Sequence, residues 1–216
     1  AVYASTSCNS CTTGRTVWGV PDLDGDGCDE IAYQYYGGTY DTMLKEGEDV
    51  SGVVSGASGI LYGDWADISG AGAFDPTSAN DEWIVGDWYD TTYTGGYAAV
   101  YDGTHMDLRL TGESASDLAG IAVAGGPGAD VNGDGVDDVL VGAAGEDSAG
   151  SAAGALYLVL GPLTGTVSLS TADAKLTGSA AGDAFAGALD APGDVDGDGL
   201  ADALVGASGV TADALS

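Results

Sequence analysis

The sequence predicts an all-β repeat protein that is built from small antiparallel sheets of four short strands. Short apolar runs such as VLVGAA (139–144) and ALYLVLG (155–161) are separated by turn-forming residues. The chain also repeats itself, because residues 110–145 resemble residues 176–209. The 38 glycines suit a chain that turns often and are too many for a helical protein. Since one small sheet cannot bury both faces alone, we expect adjacent repeats to pack on one another.

The clearest repeat unit, residues 118–178, contains four strand signals in order. A strand of small residues precedes an acidic loop, VLVGAA follows it, ALYLVLG is the third, and the fourth ends near AKLTG (174–178). A more divergent copy spans residues 17–33, and a degenerate copy spans residues 60–88. The predicted organisation is a single repeat domain, 1–216, with strands that complete a sheet (1–14), a first unit (15–59), a degenerate second unit (60–112), a third unit (113–178) and a partial fourth unit (179–216).

Three acidic loops share one pattern. They read DLDGDGCDE (22–30), DVNGDGVDD (130–138) and DVDGDGLAD (194–202), with oxygen-bearing side chains at loop positions 1, 3, 5 and 9 and Gly at position 6. The glycines allow tight turns that point alternate side chains inward. The predicted metal ligands are the side chains of Asp22, Asp24, Asp26 and Glu30, of Asp130, Asn132, Asp134 and Asp138, and of Asp194, Asp196, Asp198 and Asp202, together with the position-7 carbonyls of Cys28, Val136 and Leu200.

Calcium is the predicted occupant of these loops. Carboxylates that converge within nine residues repel one another unless a cation lies among them, and a site of six to eight oxygens suits calcium better than magnesium. A solvated acidic turn explains a single copy, but three matching copies favour a metal site. An EF-hand does not fit, because the last acid is at position 9 and a strand-like run follows. We expect about three ions. Whether the degenerate unit holds a fourth, near Asp64, Asp67 and Glu82, stays open, and Ser69 and Asp75 are further oxygens there.

The composition restricts the partners. The net charge is −30, from 34 acidic residues against four Lys and Arg. Nucleic-acid binding is excluded for lack of positive charge to neutralise phosphates, and anionic lipid is disfavoured for the same reason. The sequence contains no run long and apolar enough for membrane insertion.

No catalytic constellation is recognisable, so we expect no enzyme activity. The one histidine, His105, lies in a turn between predicted strands. A carboxylate pair for glycoside hydrolysis stays a weaker alternative, because the clustered acids are explained by the loops. The aromatic residues of the segment 33–41 and of the region 65–101 either pack between sheets or bind glycans.

Three cysteines, Cys8, Cys11 and Cys28, lie near the N-terminus. A local disulfide with one cysteine left over is possible on this count, and the partners stay open. A zinc site is disfavoured, because a single histidine and one further cysteine do not supply a second pair of ligands.

Several segments of the sequence resemble FG-GAP repeats. They are DVNGDGVDDVLVGA (130–143), the preceding LAG (118–120) and FAG (185–187), and the following ALYLVLG. FG-GAP repeats occur in the integrin α-subunit β-propeller and in many secreted bacterial proteins. The resemblance implies β-propeller-like blades of four antiparallel strands with calcium in the first inter-strand loop. It also implies an extracellular or cell-surface location. This sequence has about three and a half such repeats, whereas propellers of this family close with about seven blades.

The first hypothesis is therefore an adhesion or surface-structural module that binds itself, other extracellular proteins or glycans. A carbohydrate-binding propeller is the alternative, and a secreted hydrolase is the third. The opening AVYAST (1–6) is similar to AAVYDG (98–103) and to the third strand of the clearest unit. Residues 1–14 could thus complete the last unit of the same chain or of the next molecule, or the chain could be part of a longer propeller. We expect completion between molecules, which gives a ring or a filament.

Overall fold

The computed structural model describes residues 12–20, 30–36, 40–45, 59–62, 66–78, 82–90, 92–102 and 105–210, with side chains from residue 67 onward. Over these residues the predicted all-β class is confirmed, with fifteen strands in four sheets and a single 3₁₀ turn at Leu169–Thr171. No helix among them is long and apolar enough to cross a membrane.

The first sheet contains the strands β1 (Thr12–Val20), β2 (Glu30–Tyr36), β3 (Tyr40–Lys45) and β4 (Gly59–Tyr62) in that order. Each strand pairs antiparallel with the next. The division that we expected at residue 60 falls inside β4, which pairs with β3 and so belongs to this sheet. Residues 12–14 of the expected completing segment lie in β1. The AVYAST segment lies outside the described residues.

The second sheet is formed by β5 (Ala66–Gly72), β6 (Glu82–Asp87), β7 (Tyr97–Asp102) and β8 (His105–Thr111), all antiparallel. A fifth strand, β12 (Gly165–Ser168), comes from the third repeat and pairs parallel with β8. This strand was not predicted from the sequence. It covers the outer edge of β8 with a segment of the neighbouring repeat.

The third sheet contains the four strands that the sequence predicts within residues 118–178. They are β9 (Ala119–Ala124), β10 (Val139–Ala143), β11 (Ala155–Val159) and β13 (Ala174–Thr177), paired antiparallel in the order β13-β11-β10-β9. The fourth sheet is a pair of antiparallel strands, β14 (Phe185–Gly193) and β15 (Asp202–Ala207).

Neighbouring sheets share their cores. One cluster joins the second and third sheets and includes the fully buried Ile84, Val100, Val141 and Tyr157. A smaller cluster joins the third and fourth sheets, where Leu140 and Leu156 pack against Ala186. The expectation that each repeat buries its faces against the next is thus met between the second, third and fourth sheets.

A glycine in the second strand of the second repeat and of the third repeat lets the next repeat approach closely. A Cβ atom on Gly86 in β6 would collide with the carbonyl of Gly120, and one on Gly142 in β10 would collide with the carbonyl of Ala186. The two sites are equivalent, since both carbonyls belong to the LAG or FAG segment of the following repeat. The glycines of VG in β6 and β10 are therefore packing features, because a larger residue there would push the sheets apart.

Candidate metal-binding loops

The loop between β9 and β10, residues 130–138, is organised around the carboxylate of Asp130. Asp130 Oδ1 accepts hydrogen bonds from the backbone N–H groups of Gly133 (2.7 Å) and Asp134 (3.2 Å), and its Oδ2 accepts one from Gly135 (2.8 Å). These bonds lower the pKa of Asp130, with the Gly135 bond as the largest cause. The position-1 carboxylate is thus held ionised inside the turn.

The other predicted side chains of this loop also point into the turn. Asn132 Oδ1 accepts from Asp134 N (2.8 Å), and Asp134 Oδ1 accepts from Val136 N (2.9 Å). Asp138 closes the loop, because its Oδ2 accepts from Val131 N (2.9 Å) and its Oδ1 from Gly161 N (3.0 Å). The side chains at positions 1, 3, 5 and 9 therefore all belong to one hydrogen-bonded network.

The loop between β14 and β15, residues 194–202, repeats this network. Asp194 accepts from the N–H groups of positions 4, 5 and 6 at 2.6, 3.1 and 3.0 Å. Asp196 and Asp198 accept from the residues two positions later, and Asp202 Oδ2 accepts from Val195 N at 2.8 Å. Ligand oxygens of Asp194, Asp196 and Asp202 lie within 4.8 Å of one another. The fit to a divalent cation is good, because oxygens alone converge here.

Two glycines in each loop have the left-handed backbone that this turn requires. Gly133 and Gly135 have φ values of 77° and 87°, and Gly197 and Gly199 have 83° and 91°. A side chain at these positions would be strained. The glycines direct successive N–H groups at the position-1 carboxylate and thereby set the direction of the remaining oxygens.

Electrostatics oppose the loop at 130–138 in the absence of a cation. Asp138 is 1% exposed, and burial raises its pKa, with the charges of Asp134 and Asp130 as further causes. A divalent ion among these oxygens would offset both the cost of burying the Asp138 carboxylate and its repulsion from Asp130 and Asp134. The positive charge of the ion stabilises the ionised carboxylates.

The structure describes only part of the predicted ligand set. Two of the three loops are described in full. Ligand oxygens converge in the loop 194–202, at Asp194, Asp196 and Asp202, and in the loop 130–138 the predicted side chains accept hydrogen bonds from the backbone. In the loop 22–30, Asp22, Asp24, Asp26 and Cys28 lie outside the described residues, and only the backbone of Glu30 is described, at the start of β2. Of the position-7 residues, Val136 and Leu200 donate their N–H groups to Asp134 and Asp198, and their role as carbonyl ligands stays a prediction.

Asp67 and Glu82 lie too far apart along the strands to bind one fourth ion. Asp67 lies opposite Gly86 in the β5–β6 pair, whereas Glu82 lies opposite Gly72, so about five residues, or roughly 16 Å, separate them along the strands. Asp67 Oδ2 also accepts a hydrogen bond from Val123 N of the third sheet, at 3.0 Å. Asp64 lies outside the described residues. The prediction that Asp67 and Glu82 share a site is therefore wrong.

Asp137 has a different role from its neighbours in the loop. Its Oδ2 accepts from Ala73 N (2.8 Å) and its Oδ1 from Gly128 N (2.9 Å). Ala73 follows β5, so this side chain joins the third repeat to the second. Its sequence position beside Asp138 gave no signal for this contact.

The two described loops also touch each other. The N–H of Ala201, at position 8 of the last loop, donates to the backbone carbonyl of Asp130 at 3.0 Å. The side chain of Leu200 lies over Gly133. The peptide that contains the predicted Leu200 carbonyl ligand is therefore held by position 1 of the preceding loop, a backbone contact that side-chain spacing cannot predict.

The aromatic residues with described side chains are mostly packed. Trp83 is fully buried and contacts Tyr101, and the Arg109 guanidinium lies over the rings of Tyr93 and Tyr97, 4.8 and 5.1 Å from their centroids. His105 is a surface residue, as expected, with a side chain that is 83% exposed. Tyr89 is the exception, since it is 56% exposed.

Residues 122–159, which run from β9 through the acidic loop to the end of β11, match the sequence profile of the FG-GAP repeat. This segment is similar to an FG-GAP repeat. No curated protein matches the chain. FG-GAP repeats are structural and binding modules rather than a catalytic family, and the several sheets of the described chain are consistent with the β-propeller-like fold of such repeats. The matched segment contains the whole loop around Asp130, so the hydrogen-bonded acidic turn lies within the similarity to the FG-GAP repeat.

Proposed function

We propose that this chain is an extracellular calcium-binding FG-GAP repeat protein that acts as an adhesion or surface-structural module and not as an enzyme. The observation that supports this is the repetition of one hydrogen-bonded acidic turn at 130–138 and 194–202, atom for atom at positions 1, 3, 5 and 9. Two unrelated acidic turns would not share such a network, whereas two sites for the same cation would.

Calcium would have a structural role in this proposal. Each loop joins the first two strands of a repeat, and the closing acid Asp138 also holds Gly161 after β11. An ion bound there fixes the start of β10 and the end of β11 together. Calcium is thus proposed to make each sheet rigid enough to present a binding surface.

Self-association is the proposed mode of assembly, through the last pair of strands. Within the described residues, no strand pairs with the outer edge of β15. Such an edge offers unpaired backbone groups to a strand of another molecule, which would give head-to-tail contacts.

Glycan binding is a second candidate, and one observation favours it. Tyr89 is exposed and meets Trp88 edge to face, with ring centroids 5.5 Å apart, beside Asp87 and Asp90. Aromatic rings next to carboxylates suit sugars. Replacement of Tyr89 by Ala should abolish retention on a glycan array if this surface is used, and unchanged retention would reject it.

Linkage between calcium and folding tests the main proposal. A ligand that binds only the folded state at a hundredfold excess over its Kd adds about 2.7 kcal/mol per site, which raises the melting midpoint by roughly 5–10 °C. Thermal unfolding of the chain should therefore shift upward in calcium compared with a chelator. Magnesium and sodium at matched ionic strength control for screening of the net charge of −30.

Variants make the same test specific for the loops. The double variant Asp134→Asn with Asp198→Asn should lose most of the calcium shift, because each substitution removes a carboxylate from one turn. An unchanged melting midpoint of the wild-type chain in calcium and in chelator would reject the calcium proposal.

A further inference from the structure

Asn132 and Gly133, in the loop 130–138, form a chemically labile pair. It is the single asparagine–glycine pair of the sequence, since the other asparagines, Asn9 and Asn80, precede Ser and Asp. Both residues of the pair are exposed to solvent. The backbone nitrogen after an asparagine can attack the side-chain amide, and glycine has no Cβ atom to hinder that approach. The pair therefore places a site of spontaneous covalent chemistry inside an acidic turn.

The turn holds the two reacting groups of this pair in separate hydrogen bonds. The N–H of Gly133, which is the nucleophile, donates to Asp130 Oδ1 at 2.7 Å. The Asn132 amide is held at both ends, because its Oδ1 accepts from Asp134 N at 2.8 Å and its Nδ2 donates to Asp134 Oδ2 at 2.9 Å. The Asp130 carboxylate also opposes loss of the proton from Gly133 N, since the amide anion would face a negative charge. The closed turn thus keeps both groups from reacting.

We propose that Asn132 is a deamidation site that the closed turn protects and that local opening of the turn exposes. In the open turn, Gly133 N forms a bond to Asn132 Cγ, the Cγ–Nδ2 bond breaks, and ammonia leaves with the proton of the Gly133 amide. Water then opens the resulting cyclic imide at either of its carbonyls. One direction gives an ordinary aspartate at position 132, and the other gives isoaspartate, in which the main chain runs through the former side chain.

The two products change the turn in different ways. An aspartate at position 132 gives this loop the same acids at positions 1, 3 and 5 as the loop 194–202. It also replaces the Nδ2 donor to Asp134 with a second negative charge, so the turn then depends more strongly on a cation. Isoaspartate lengthens the main chain by one carbon at position 3. This shifts the N–H groups of Gly133 and Gly135 away from Asp130, to which both donate in the unmodified turn.

Calcium should slow the reaction, and this part of the proposal rests on the proposed function of the loops. If calcium binds only the closed turn, a hundredfold excess over its Kd lowers the open fraction by roughly hundredfold. The rate of deamidation should fall by the same factor between chelator and calcium, because only the open turn reacts. The chain unfolded in urea should react fastest, since it lacks the protecting hydrogen bonds.

Mass spectrometry of the full chain measures these rates at one residue. Trypsin cleaves after Arg109 and Lys175, and the peptide 110–175 contains Asn132 as its one side-chain amide. The chain is incubated at mildly alkaline pH in calcium, in chelator and in urea, and conversion of this peptide from amide to acid is followed. Asp134→Ala should accelerate conversion in chelator, because it frees the Asn132 Nδ2. Asp147→Ala removes an exposed acid outside the loops and should leave the rate unchanged.

The outcomes separate this proposal from that for the loops. An unmodified peptide 110–175 in urea overturns the site, and equal rates in urea and in calcium overturn its protection by the turn. Slow conversion in calcium and equally slow conversion in chelator, with fast conversion in urea, support the protected site but reject the proposed role of calcium in this loop. If Asp134→Ala does not fold by circular dichroism, the comparison of the wild-type chain in the three solutions decides alone.

Discussion

Asp134 and Asp137 are close in sequence, but their carboxylates contact different parts of the molecule. Asp134 Oδ1 bonds to Val136 N inside its own loop, whereas Asp137 bonds to Ala73 N of the preceding repeat. One carboxylate is thus available to an ion in the loop, and the other is used as a link between two sheets.

Replacement of each residue by Ala should separate these roles. Asp134→Ala should weaken calcium binding at its own loop by roughly tenfold or more, because a ligand is lost. Asp137→Ala should leave that affinity unchanged but lower the free energy of unfolding by about 1–2 kcal/mol, since Ala73 N and Gly128 N lose their acceptor. Calorimetric titration and urea unfolding in chelator measure the two effects. Equal losses of calcium affinity in both variants would show that the ligand assignment is wrong.

Lys175 is a second residue whose contacts suggest a clear role. Its Nζ lies 3.0 Å from both Glu113 Oε2 and Glu146 Oε1 and 5.3 Å from the centroid of the Tyr157 ring. Burial raises the pKa of Glu146, but its bonds to Ser148 and Lys175 outweigh this and leave the pKa lowered. Glu146 therefore stabilises the fold above its ordinary pKa, and this contribution is lost as the pH falls through the lowered pKa.

Lys175→Met should lower the free energy of unfolding by about 1–3 kcal/mol at neutral pH, because the buried Glu146 carboxylate loses its cation. The difference from wild type should shrink in acid, where Glu146 is protonated and needs no cation. Glu113→Gln is the control and should cost less, since the Glu113 side chain is 24% exposed against 5% for Glu146. Urea unfolding between neutral pH and acid measures both. A loss that stays constant into acid would contradict this role of the ion pair.

At the residue scale, side-chain spacing predicted the converging oxygens because a tight turn places them by local geometry alone. It could not predict the partner of Asp137, which is 64 residues away in sequence. The wrong pairing of Asp67 with Glu82 has the same origin. Both are acids of one degenerate repeat, but strand register separates them.

At the scale of elements, the two described loops form one connected unit. The Leu200–Ala201 peptide donates its N–H to Asp130 and would offer its carbonyl to the ion of its own loop. An ion at either loop therefore restricts the same peptide. We expect the two sites to bind calcium with positive coupling.

Asp134→Ala should weaken binding at the loop 194–202, and Asp198→Ala should weaken binding at the loop 130–138 by the same factor, since coupling is reciprocal. A coupling of about 1 kcal/mol corresponds to roughly fivefold. Asp147→Ala removes an exposed charge outside the loops and controls for long-range electrostatics. Chemical shifts of Gly133 and Gly197 during a calcium titration report each site. Independent titration of the two glycines in every variant would rule the coupling out.

The strands of the third sheet were predictable, because β-branched and apolar runs alternate there with turn residues. The strand β12 was not predictable, because its sequence GTVS is short and partly polar and because it pairs parallel with a strand of another repeat. A pairing of this kind depends on the direction that the backbone takes after Gly161, and the local sequence does not encode that direction.

At the scale of the whole molecule, the fourth sheet exposes a surface that the third sheet buries. Leu204 in β15 is 64% exposed, whereas Leu140, its equivalent in β10, is 3% exposed because it packs against Ala186 of the next repeat. In the third sheet the first strand of the next repeat covers this surface, and in the proposed self-association a strand of a second copy would cover Leu204. We therefore expect association through this face.

Leu204→Asp should shift the native particle toward the monomer, because it places a charge in the centre of the apolar contact. Sedimentation velocity over a range of concentrations measures the effect, with calcium and physiological salt present so that the net charge of −30 is screened. Leu176→Asp is the matched control, since Leu176 in β13 is 52% exposed but lies on a different sheet. It should leave the particle size unchanged. A wild-type chain that stays monomeric at every concentration, or equal effects of the two substitutions, would contradict association through β15, and the exposed face of Leu204 would then need another partner.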